Sequence, residues 1–114
     1  MIEESIIRDM FWERNSIEIE PFMKNIVRLH CYPISNPDIE ETFVGSISYD
    51  QNFPMLIVGF PWHEGDKMSF ARESAVSPNI EHPKAYYMLK SIEVVPDDVS
   101  EQWFKAGKKF VEDL

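Results

Sequence analysis

Residues 42–60 constrain the fold more than any other stretch of this chain. From Thr42 to Tyr49 the pattern has period two: Phe43, Gly45, Ile47 and Tyr49 fall on one side, and Thr42, Val44, Ser46 and Ser48 on the other. That alternation belongs to a strand with two unlike faces. Asp50-Gln51-Asn52 carries turn chemistry, and Met55 to Phe60 is a short continuous apolar run, as in a strand covered on both faces. Two such strands joined by a short turn form an antiparallel hairpin, so the chain must build at least part of its core around a sheet.

The flanking segments add helices and further strands. Ile2, Ile6, Ile7, Met10 and Phe11 share one helical stripe, with Glu3, Glu4, Arg8 and Glu13 opposite, which predicts a helix ending near Asn15. SIEIEPF then alternates apolar and acidic residues up to Pro21, and residues 22–32 fit a helix face or a strand equally well. PISNPDIEE, with Pro33 and Pro37, reads as a loop, as does SPNIEHP between Pro78 and Pro83. Met68, Phe70 and Ala71 are expected to continue the meander, and residues 85–95 form a strand ending at Pro96. In the last segment Asp98 and Glu101 fit a capping box, followed by Val99, Trp103, Ala106, Gly107, Phe110, Val111 and Leu114 at helical spacing. Lys105, Lys108 and Lys109 lie toward the end of that helix, where they complement its dipole. The expected architecture is α+β: a single domain over residues 1–114, with an antiparallel sheet of about four strands and the N- and C-terminal helices packed on one face.

Charge is distributed unevenly. The chain holds 11 Lys and Arg against 20 Asp and Glu, a formal net charge of -9. Residues 29–66 contain no lysine or arginine, yet carry Asp38, Glu40, Glu41, Asp50, Glu64 and Asp66. Residues 67–114 are nearly balanced. Such a surface repels phosphate backbones and anionic lipid, so a basic protein is the expected partner, and neither nucleic acid nor a membrane is. A single cysteine, Cys31, excludes an internal disulfide and multi-cysteine metal sites. The acidic opening MIEESIIRDMFW lacks the basic leader of a signal peptide, and no apolar run reaches the ~18 residues of a membrane span, so a cytoplasmic location is expected.

FPWHEGD, residues 60–66, gathers the most reactive side chains. His63, Glu64 and Asp66, completed by His82 or Cys31, are the residues an alternative reading as a small hydrolase or a zinc or manganese enzyme would use. The second histidine of an HExxH helix is missing, and Gly65 favours a hairpin turn. Gly45, Gly59, Gly65 and Gly107 form no phosphate-binding loop. No cofactor, no metal and no catalytic residue is therefore expected.

Carboxylates surrounding large aromatic side chains suit a high-affinity site for a basic protein: buried anchors slow dissociation, and charge accelerates encounter. In size, acidity and aromatic content the chain resembles the small, single-domain immunity proteins with which bacteria neutralise a cytotoxic nuclease. That resemblance implies a non-enzymatic inhibitor whose carboxylates stand where a nuclease cleft would hold phosphates. The residues expected to meet the toxin domain are Asp38, Glu40, Glu41, Asp50, Trp62, His63, Glu64 and Asp66. A further alternative is a homodimeric adaptor that pairs through a sheet edge or the aromatic hairpin.

Overall fold

The computed structural model describes residues 2–3, 5–7, 16–50, 55–63, 74–77 and 87–113. The elements are β1 (Ile2–Glu3), α1 (Ser16–Met23), β2 (Val27–Pro33), β3 (Glu41–Asp50), β4 (Met55–His63), β5 (Ser74–Ser77), β6 (Tyr87–Val94) and α2 (Asp97–Glu112). The α+β class holds, with six strands among the described residues in place of about four. Strands β2, β3, β4 and β5 pair in sequence order and antiparallel. Strand β6 lies antiparallel to β2 along one edge, while its other edge takes β5 in parallel at Tyr87 and Met88 and β1 antiparallel at Ser91 and Ile92. The sheet therefore closes into a ring, an arrangement that removes long unpaired edges.

Two bulges let this sequence close. Between Val44 and Ser46, β3 advances two residues while β4 advances three, from Trp62 to Gly59. Pro61, which has no N–H to contribute to the ladder, is accommodated there, and β4 runs on to His63 instead of stopping at Phe60. Opposite Ser46, a Cβ on residue 59 would come within 2.9 Å of the Ser46 Oγ, so close cross-strand approach favours glycine. Between His30 and Cys31, β6 gains one residue, Lys90, which is exposed. The insertion allows Leu89 and Ile92, three apart, both to enter the same core.

That core is formed by Val27, Leu29 and Cys31 of β2, Phe43 and Ile47 of β3, Val58 of β4, and Leu89 and Ile92 of β6, joined by Ile7, Ile19 and Phe22. The period-two pattern of residues 27–31 supplies three of these, which resolves the ambiguous 22–32 stretch as a helix end followed by a strand. A second, smaller cluster holds Ile26, Val44, Trp62, Val95 and Trp103, with Val99 packed against it. Because Phe43 and Val44 are adjacent in one strand, they face opposite sides of the sheet. The apolar residues of α1 and α2 consequently pack on different sides of the sheet.

The helices differ from expectation at their ends as well. Ile2 pairs with Ile92 in a strand, so the predicted N-terminal helix does not begin there; residues 5–7 are helical, and residues 8–15 lie outside the described set. SIEIEPFM is helical despite its alternation and despite Pro21. Its C-terminal end is closed by Lys24 N donating to Glu20 O at 3.0 Å and by Asn25 Nδ2 donating to Pro21 O at 2.6 Å. Helix α2 starts two residues earlier than the predicted cap implies: Pro96 (φ -61°, ψ 158°), not Asp98, is the N-cap, with no side-chain cap bond. Asp98 is already inside the first turn, so its contribution is to the dipole rather than to a capping box. Strand β5 falls at Ser74–Ser77; Met68, Phe70 and Ala71 lie outside the described residues.

Candidate functional site

Strand β3 decides which of the acidic residues can act together. Glu41 opens the strand and Asp50 ends it, so they are separated by about 30 Å of extended chain at ~3.3 Å per residue. Asp50 is therefore removed from the surface that was expected to contain all the acids. Antiparallel pairing puts His63 opposite Phe43, at the Glu41 end. Glu64 and Asp66, which follow His63, lie outside the described residues, as does the turn predicted at Gly65.

The β2–β3 connection presents the rest. Asn36 organises it: its N–H donates to Pro33 O at 3.1 Å, its carbonyl accepts from Ile39 N at 3.3 Å, and its Oδ1 accepts from Asp38 N at 3.3 Å. These bonds hold Asp38, Ile39 and Glu40 outward, all three exposed, with Ile39 at 46%. Glu41 is half-buried and hydrogen-bonded to Tyr87, whose hydroxyl is pushed above its usual range by burial and by that carboxylate. An aliphatic side chain standing between two solvated carboxylates is a small contact ledge. Its sequence signal was present: Ile39 is the lone large apolar residue in SNPDIEE.

Beside the ledge, on the outer side of the ring, lies a charge cluster that sequence reasoning did not identify. Arg28 Nη1 donates to Glu93 Oε1 at 2.8 Å. His30 Nε2 is 3.5 Å from the same oxygen, and its Nδ1 is 3.5 Å from both Glu40 Oε1 and Thr42 Oγ1. The Nε2 atom is buried, and its approach to Glu93 lacks hydrogen-bond geometry. The hydrogen bond from Arg28, opposed in part by burial and assisted by His30, holds the Glu93 carboxyl below its ordinary range. Arg28, the last basic residue before the base-free stretch, thus has a carboxylate of its own and leaves Asp38 and Glu40 facing solvent.

Trp62 does not serve as an exposed anchor. It is 1% exposed and packs in the second cluster, with its indole Nε1 buried and unbonded among the described residues. Cys31 points into the core, where burial, reinforced by Glu41 and Glu40, pushes its thiol up to about 12. A thiol so placed is not a nucleophile. His82 lies outside the described residues, and no group of three or more metal-ligating side chains occurs among the described ones. No described helix is long and apolar enough to cross a membrane. Comparison with protein-family models, curated proteins and solved structures finds no match. Fold and surface together define a small α+β protein with a closed sheet and an acidic ledge at one end of it.

Proposed function

We propose that this chain is a protein-binding inhibitor of the immunity type, which neutralises a basic toxin domain, a nuclease in the first instance, by docking through the Asp38-Ile39-Glu40 ledge. The carrying observation is the exposed Ile39 between two exposed carboxylates on a connection fixed by Asn36. A net charge of -9 and the absence of Lys and Arg from residues 29–66 support the same reading. Carboxylates at the rim speed encounter with a positive cleft, and a desolvated aliphatic side chain slows escape. The site belongs to the Glu41 end of β3, with His63 beside it; Trp62 contributes by packing, and Asp50 stands apart.

Calorimetric titration of the chain with a basic nuclease toxin domain tests this reading. Ile39→Ser and Glu40→Lys are each expected to weaken binding by roughly 10- to 100-fold. Unchanged affinity in the Asp38→Lys, Ile39→Ser, Glu40→Lys triple variant would remove the ledge as the binding site.

A further inference from the structure

We propose that α2 is a self-association surface through which two copies of this chain pair with their C-terminal helices antiparallel. This goes beyond the inhibitor reading and uses a different surface. Among the described residues, the rest of the fold packs against α2 in its first half, through Val99 and Trp103. Farther along, Phe104 is 59% exposed and Val111 53% exposed. Together with Trp103 and Gly107 they line an open groove of about 530 Å³ along the helix. At ~100° per residue these four positions fall within one arc of the helix, a continuous apolar stripe of the sort that helices normally bury.

Shape and charge both favour a second copy as the occupant. With a two-fold axis passing between Lys105 and Ala106, Phe104 of each helix stands over Gly107 of the other, and Val111 over Ser100. Glycine is a poor helix former, and its lack of a side chain leaves room for the opposing ring. The same axis puts Glu101 on the same flank as Lys108 of the second copy, two residues or about 3 Å of rise from its level, twice by symmetry; both side chains are exposed. Within α2 four acids face three bases, so this is a near-neutral face on a chain of net charge -9, where two copies meet with least repulsion. Closure of the ring also makes the helix, rather than a strand edge, the adhesive surface. An isologous contact of this kind closes at the dimer.

Sedimentation equilibrium on the full chain, over a wide concentration range, tests the proposal, with circular dichroism confirming that each variant folds. The expected result is a monomer–dimer equilibrium whose Kd rises at least ~100-fold in Phe104→Asp. Glu101→Lys and Lys108→Glu should each weaken the dimer about threefold or more, and the double exchange should recover most of the loss. A monomer at every concentration, a different oligomer, a dimer indifferent to Phe104→Asp, or a double exchange no better than the single ones would each overturn it.

Discussion

Replacing Glu93 with glutamine tests how the outer charge cluster contributes to stability. The carboxylate accepts from Arg28 at 2.8 Å, and the two side chains are 30% and 21% exposed. The pair therefore lies between a solvated surface bridge, worth ~0–1 kcal/mol, and a fully buried one, whose breakage costs ~3–5 kcal/mol. A loss of about 1–2 kcal/mol at neutral pH is the expected cost of Glu93→Gln. Glutamine keeps the size of the side chain and can still accept from Arg28, so the substitution isolates the charge. The pH dependence has a definite sign. Because the folded state lowers the Glu93 pKa, the stabilisation is complete above the unfolded-state value of ~4.3 and is lost as pH falls toward the folded value. The gap between wild type and variant should thus be widest near neutrality and should close in acid. Urea unfolding at a series of pH values, followed by tryptophan fluorescence, measures that gap. A difference that stays constant with pH, or grows in acid, would refute the assignment of Arg28 as the main cause.

Two other outcomes follow from buried contacts. Cys31, with its thiol raised to about 12 inside the core, should resist a thiol-specific disulfide reagent in the native protein and react fully once unfolded; rapid native-state labelling would contradict its placement. Gly59→Ala should destabilise by ~0.5–1.5 kcal/mol by forcing the Ser46 hydroxyl from its position. Thermal unfolding of the single and double variants should show most of that cost relieved by Ser46→Ala, and a purely additive pair would argue against the 2.9 Å approach as its source.

How far these features were legible in the sequence depends on the range of the interactions that set them. The 42–60 hairpin was readable because alternation is local and each residue reports its own face. The extension of β4 through Pro61 was not, since a bulge depends on the register of two strands, and the proline alone argues for a break. Ile2 fits a helical stripe with Ile6 and Ile7, yet it pairs with Ile92 ninety residues later, where tertiary pairing overrides local period. Trp62, set between a proline and a polar run, resembled a loop anchor; its burial arises from Trp103 and Val95 at the other end of the chain. At the start of α2, Asp98 carried the start signal and Pro96 was read as the end of the preceding strand, yet Pro96 is the N-cap and sets the boundary two residues earlier.

The base-free stretch illustrates why linear charge patterns need a strand map before they become surfaces. Its six carboxylates lie within 38 residues, but β3 runs through the middle of them and carries Asp50 away from Glu41. Charges farther apart than the ~8 Å Debye length at physiological ionic strength are largely screened from a common contact. At about 30 Å of strand, Asp50 can add to the long-range field of the protein at low salt, but it cannot share a contact with Glu40. The hairpin has the opposite effect on His63, returning it to the Glu41 end from twenty-two positions away. Sequence proximity and spatial proximity are thus exchanged within one antiparallel pair. On the proposed reading, the local unit of recognition is a short connection with one aliphatic residue and two exposed carboxylates, rather than a continuous acidic face.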